Sequence, residues 1–274
     1  MVIQHNIAAI NSYRNLSTNQ NALSKNLEKL SSGYKINRAG DDAAGLAISE
    51  TMRSQINGLN QAVNNANDAI GLIQTAEGAM TETHSMLQRM KTLTTQAANG
   101  TYTSTARGNI KAELDALNKE ITRIATTTEF NGETPLKPAK KDTPLTFFIG
   151  ASADTTNAMT VEQKDMTAEE LKVNDLKVSN TTEAFNSMAS VDAAIEKVST
   201  YRAQLGAAQN RLEHTVNNLK VTSENITSAE SRIRDTDMAD EITAYTKNNI
   251  LLQAAQSMLS QSNAMPQGVL SMLQ

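Results

Sequence analysis

Apolar residues recur every seven positions along two long stretches of the chain. One ladder runs Met52, Leu59, Ala66, Ile73, Met80, Leu87; the other runs Val191, Val198, Leu205, Leu212, Leu219, Ile226, Ile233. A strict seven-residue step keeps one stripe of an α-helix facing a partner and favours a left-handed supercoil. At ~1.5 Å per residue, the second ladder spans roughly 60 Å, more than a compact domain needs. Two such stripes, far apart in sequence, predict that the N- and C-terminal parts pack together as a rod. A rod offers length and surface, which points to assembly before catalysis.

The rest of the pattern fits around these ladders. Ile3, Ile7 and Ile10, then Leu16, Leu23, Leu27 and Leu30, predict a first helix over 2–32, broken at Ser32-Gly33. Residues 34–42 read as an ordered loop or spoke, with Asp41 or Asp42 placed to cap the next helix. That helix is predicted over 43–98, with Ile48, Ile56, Val63 and Ile70 as its second seam row. The row weakens where Glu77, His84 and Lys91 continue it. After Asn99-Gly100, a helix over 104–127 carries Ile110, Leu114, Leu117, Ile121 and Ile124, and the short connection makes it antiparallel to its predecessor.

Periodicity then changes. Phe130-Asn131-Gly132 is a hairpin-type turn, and strands are predicted at 145–150 and 158–162. The last long helix follows Thr181-Thr182 and runs to about Ile233, before a polar bend over 234–240. A final helix carries Met238, Ile242, Tyr245, Leu252, Ala255 and Leu259, and Pro266 precedes a last apolar turn with Val269, Leu270, Met272 and Leu273. The predicted fold is mainly α. It is a long antiparallel helical bundle or coiled-coil rod, with a small β-containing subdomain over 129–180 and terminal helices that pair.

Composition supports thin helix-on-helix seams. In 274 residues there is no Trp, with four Phe and five Tyr, fewer rings than an enzyme core of this size usually uses. Three of the four prolines (Pro135, Pro138, Pro144) lie close together, so the long flanks are free of breakers. A net charge of −4 without a Lys/Arg block argues against nucleic acid as a partner. The N-terminus lacks the features of a secretory signal peptide, and no stretch approaches the ~18–20 apolar residues of a membrane span. The absence of Cys excludes disulfides and thiolate metal sites, and suits a chain that crosses redox compartments.

Candidate chemistry is sparse. His5, His84 and His214 are scattered, with no metal-binding spacing, and read as packing or surface residues. There is no phosphate loop, no dinucleotide fingerprint and no visible nucleophile with a base, so no cofactor and no enzyme activity are expected. Asp41-Asp42 could ligate a cation but read better as a cap and bend. Arg89, Lys91 and Glu113 read as an ion-pair set across antiparallel helices. The terminal stripes could close on each other or join copies. An isolated pair of narrow helices would be marginal in water, which favours joining copies.

Several strings carry a resemblance. Asn6-Ile-Ala-Ala-Ile10, Leu30-Ser-Ser-Gly33, Ile36 through Ser49 and Gly71 through Ala79 lie near one end; Gln209 through His214, Ala229 through Ala239 and Asn248 through Ala254 lie near the other. Together they closely resemble the two terminal signatures of bacterial flagellin, over about 1–135 and 185–274. The resemblance implies a secreted structural subunit of the flagellar filament, exported unfolded and polymerising with other copies of itself for swimming motility. It implies an inner layer, D0, from 1–42 (helix and spoke) and 235–274. A surrounding layer, D1, would comprise the helices of 43–128, the β-containing part 129–182 and the helix 183–234. With only about 50 residues between the long-helix parts, the outer domains of larger flagellins look absent.

The resemblance also implies sites and partners. Polymerisation would use Ile3, Ile7, Ile10, Leu23, Leu27, Leu30, Met238, Ile242, Tyr245, Leu252, Leu259, Leu270 and Leu273. Further expected partners are a flagellar export chaperone and the filament cap and hook-junction proteins, with no nucleic acid and no membrane. Arg89, Leu93 and Glu113 align with a patch through which an animal Toll-like receptor senses flagellins. Thr92 departs from the Glu found in many recognised flagellins, which removes a possible charge-assisted contact. Three rival readings fit the sequence less well. A hook–filament junction protein fits the C-terminal string less well, a zinc protease lacks His between 129 and 185, and a cytosolic coiled-coil scaffold would not leave the cell.

Overall fold

The computed structural model describes residues 6–138, 144–152 and 154–272, with backbone only at 266, 267 and 269–272. The elements in order are α1 (Ile7–Ser32), α2 (Ala43–Ala98), α3 (Ser104–Thr127), β1 (Pro144–Phe148), β2 (Ala158–Glu162), α4 (Thr181–Arg234) and α5 (Met238–Met272). The fold is mainly α with one small sheet, as the periodicity predicts. It divides into two compact units: Gln55–Ser223, and the residues up to Ser54 with those from Glu224 onward.

In the Gln55–Ser223 unit, both seven-step ladders are core. Leu59, Ala66, Ile73, Met80 and Leu87 on α2, and Val191, Val198, Leu205, Leu212 and Leu219 on α4, are all buried. Pairs between the helices run in opposite directions along them: Asn60 with Ser223, Glu77 with Arg202 and Lys91 with Asp192. The two helices are therefore antiparallel.

The second seam row of α2 differs from the predicted one. The buried row is Ala62, Ala69, Ala76, Thr83, Met90 and Ala97, while Ile56, Val63 and Ile70 are half-buried and Ile48 is exposed. The observed row lies three residues after the first ladder, giving the same 3/4 alternation. Its small Ala side chains carry little apolar signal, so the larger aliphatic row attracts attention in sequence. They allow α2 to approach its neighbours closely without overfilling the seam. The polar residues that interrupted the predicted row belong on its solvent edge: Glu77 and Lys91 make the ion pairs above, and His84 shares a hydrogen bond with Gln88.

Local signals set the boundaries. Asp42 accepts from the N–H of Gly45 at 2.9 Å and so caps α2; a Cβ at Gly45 would lie 2.8 Å from Ile36 Cδ1, which only glycine avoids. Thr103 caps α3 through Ala106 N–H, and Asn180 caps α4 through Glu183 N–H. The turn at Asn131-Gly132 has φ of 51° and 87°, with Phe130 and Glu133 exchanging both backbone hydrogen bonds. This is the hairpin turn that the Asn-Gly pair predicts.

Strands β1 and β2 are antiparallel, with Leu145 opposite Val161 and Phe147 opposite Met159. Those four residues face the helices, while Thr146, Phe148, Thr160 and Glu162 face outward. Leu136, Met166, Leu171, Val173 and Val178 join the same buried cluster as α2, α3 and α4, so the β-containing segment is a wall of that core. Helix α5 continues through Pro266 to Met272. Pro266 has no N–H to offer the carbonyl four residues back, and that carbonyl finds another donor, described next.

Candidate assembly interface

The second unit is organised by α1 and α5. Helix α1 begins at its cap Asn6, whose Oδ1 accepts from Ala9 N–H at 3.1 Å. The Nδ2 of the same residue donates to the carbonyl of Ser262 on α5 at 2.8 Å. Deeper in the pair, with its amide turned so that both ends find partners, buried Asn26 donates to the Ala22 carbonyl at 2.8 Å and accepts from Tyr245 N–H at 3.0 Å. Lys29 meets Glu241 at 3.7 Å. Tyr34 forms a backbone bridge with Asp235. Residue numbers rise on α1 as they fall on α5, so these helices are antiparallel.

The turn after α1 is pinned by charge. Arg234 lies 4.8 Å from the centre of the Tyr34 ring and is hydrogen-bonded to Glu50, while its carbonyl accepts from Lys35 N–H. Arg53 adds ion pairs to Glu50 and Glu230. The Arg234 hydrogen bond, followed by the charges of Arg234 and Arg53, holds the Glu50 carboxyl below its ordinary value. Asp41 accepts from the N–H groups of Arg38 and Asn37, and the Arg38 bond is the chief reason that its carboxyl is lowered. The pair Asp41-Asp42 thus serves as bend and cap. Among the described residues, no group of three or more His, Cys, Asp or Glu is placed to hold a metal ion.

This unit leaves a number of large apolar side chains uncovered. Among the residues singled out from sequence, Leu23, Leu30, Tyr245, Leu252 and Leu259 are half-buried, whereas Ile7, Ile10, Leu27, Met238 and Ile242 are exposed. Ile7 retains 68% of its surface. Ile3, Leu273 and the side chain of Leu270 lie outside the described residues. The structure adds residues that the single ladder missed: Tyr13 on α1 and Ile250, Leu251, Met258 and Met265 on α5, with Met258 63% exposed. Leu251, Met258 and Met265 are themselves a seven-step row, a signal present in the sequence.

The other predicted site lies in the Gln55–Ser223 unit and is only partly on the surface. Arg89 Nε donates to Glu113 at 2.9 Å, and both side chains are exposed. Leu93 is not beside them at the surface: it is 2% exposed and belongs to the core. It follows Met90 at the three-residue step of the buried face, so its side chain turns inward. Thr92 instead lines a shallow surface groove with Gln88, Lys91 and Tyr102.

Comparison with known proteins matches this architecture. The bacterial flagellin N-terminal helical region matches residues 3–140, and the C-terminal helical region matches 188–273. Flagellin of Bacillus subtilis (strain 168) is 50% identical over 305 residues, with both chains covered in full. The flagellar filament 33 kDa core protein of Treponema phagedenis is 45% identical, again over the full length of both. The crystal structure of Bacillus cereus flagellin, 31% identical, aligns with a TM-score of 0.50 over 61% of this chain and 94% of that one. A putative flagellar hook-associated protein from Vibrio parahaemolyticus shares the fold at 13% identity, with a TM-score of 0.60 over 71% of this chain and all of that one. With both terminal regions matched and full-length relatives at this identity, the chain belongs to the bacterial flagellin family.

Proposed function

We propose that the exposed apolar faces of α1 and α5 join copies of this chain into the flagellar filament. The chain is a structural subunit of that extracellular filament and not an enzyme. The single observation that carries the residue-level reading is the set of exposed apolar side chains Ile7, Ile10, Ile242, Ile250 and Met258 on two paired helices. Apolar surface of this kind costs about 25 cal/mol per Å² while it faces water, and neighbouring copies remove it. In this reading 1–42 and 235–274 form the inner D0 tube, and the remainder forms D1.

The same reading includes unfolded export, which a chain without Cys completes without forming disulfides. An export chaperone and the cap and hook-junction proteins are its transient partners. Truncation after Asp235 tests the assembly reading. The expected product is a helical monomer that forms no filaments in electron microscopy; normal filaments would overturn it. The exposed Arg89–Glu113 pair supports a second reading, recognition of the free subunit by a Toll-like receptor. Arg89→Ala is expected to weaken the response of receptor-bearing reporter cells, and an unchanged response would refute that site.

A further inference from the structure

The sequence holds three Asn-Gly pairs: Asn57-Gly58, Asn99-Gly100 and Asn131-Gly132. At such a pair an asparagine can lose its amide to its own backbone. The glycine nitrogen attacks the side-chain Cγ, and the missing glycine Cβ leaves that approach open. Identical in sequence, the three pairs sit in different settings.

Asn57-Gly58 lies inside α2, where the Gly58 N–H is held by the carbonyl four residues back, and a Cβ at Gly58 would lie 3.1 Å from Ala151 Cβ. Asn131-Gly132 is fixed in its turn, at φ of 51° and 87°, by the hydrogen bonds of 2.9 and 3.0 Å between Phe130 and Glu133. Neither peptide can swing its nitrogen onto the side chain without breaking those bonds. Asn99-Gly100 is exposed at the corner between α2 and α3, and a Cβ at Gly100 would meet no atom within 4 Å. Among the described residues the Gly100 N–H donates to no acceptor.

The same corner polarises both reacting groups. Thr101 N–H donates to Asn99 Oδ1 at 3.2 Å, a local turn that folds the side-chain amide over the following peptide. That donor also stands where negative charge develops once Cγ is attacked. The Asn99 carbonyl accepts from Arg107 Nη2 at 3.2 Å and from Tyr102 N–H at 3.4 Å. This carbonyl and the Gly100 N–H belong to one resonant peptide group, so drawing electrons to the oxygen makes the nitrogen easier to deprotonate. Among the described residues, no donor reaches either oxygen of Asn131.

We propose that Asn99 is a self-deamidation site, at which the fold activates both the attacking nitrogen and the attacked carbon. Gly100 N gives its proton to hydroxide and bonds to Cγ. The Cγ–Nδ2 bond breaks, and Nδ2 takes a proton from water and leaves as ammonia, returning the hydroxide. Water then opens the resulting succinimide at Cγ, giving Asp, or at the main-chain carbon, giving isoaspartate. Either product adds a negative charge beside Arg107, and isoaspartate also lengthens the α2–α3 connection by a methylene. The reaction needs only water.

The test follows all three pairs in the full chain, folded and in parallel unfolded in urea. Peptide mapping reads the mass change of an amide becoming an acid. In the folded chain Asn99 is expected to react about tenfold faster than Asn57 and Asn131, whereas in urea, where only the sequence acts, the three rates converge. Equal rates in the folded chain would overturn the site. Arg107→Ala separates activation from looseness of the corner. A reaction limited by mobility would speed up when the Arg107 bonds are lost, whereas activation requires slowing, by about threefold, at unchanged helical content. An Asn99 rate that rises or stays the same in Arg107→Ala would overturn the activation.

Discussion

The side chain of Asn6 joins two helix problems in one group. Its Oδ1 caps the first turn of α1, and its Nδ2 donates to the Ser262 carbonyl at 2.8 Å. Ser262 is four residues before Pro266, so its carbonyl lacks the N–H that an uninterrupted helix would provide. A long α5 that passes through a proline is thereby tied to the start of α1, more than 250 residues away in the chain.

This relationship predicts coupling between distant residues. Asn6→Ala should destabilise the α1–α5 pair by about 1–2 kcal/mol, through loss of the cap and of a buried acceptor's partner. In a Pro266→Ala background the helix supplies its own donor to Ser262, so the same change should cost measurably less. Hydrogen exchange of the first α1 turn in the four chains of this double-mutant cycle reads the difference. Strict additivity would show that the proline and the asparagine act independently.

The small-residue row of α2 predicts an asymmetry between adding and removing volume. Ala76→Leu should destabilise the Gln55–Ser223 unit by about 1–3 kcal/mol, because the fully buried Cβ has no space beside it. Leu87→Ala should cost about 2–5 kcal/mol by leaving a cavity. Val63→Ala, on the half-buried row, should cost less than Leu87→Ala. Urea unfolding followed by circular dichroism ranks the three. A larger loss at Val63 than at Leu87 would contradict the assignment of rows.

The charge cluster around Tyr34 predicts acid sensitivity. The Glu50 carboxyl titrates below its ordinary 4.5 in the folded chain, chiefly because Arg234 donates to it. A depressed carboxylate stabilises the fold fully above its unfolded value, and that contribution is lost as the pH falls through the folded one. Hydrogen exchange over 34–54 should therefore accelerate on acidification below pH 4.5, and part of that pH dependence should vanish in Glu50→Gln. Identical profiles for the two chains would remove Glu50 from the cluster's balance.

For Arg89 the expected stability effect is small. Its pair with Glu113 is exposed on both sides, and such pairs contribute about 0–1 kcal/mol. Arg89→Ala should leave the thermal midpoint within a few degrees of the parent. A receptor response that changes while the midpoint does not separates recognition from folding.

The period of the apolar residues by itself determined the helices and their boundaries. It did so because a seven-step stripe, a capping Asp42 and an Asn-Gly turn are local devices that act within one or two turns of chain. The strings at both ends, and not the period, carried the family. Three things only the tertiary structure decided. Leu93 and the Ala62–Ala97 row are buried because α3 and α4 lie on that side of α2, and no residue of α2 encodes where its neighbours sit. Leu251, Met258 and Met265 are exposed because α1 covers the other face of α5. Helix α5 survives Pro266 because a side chain from the far end of the sequence reaches the carbonyl that the proline leaves free.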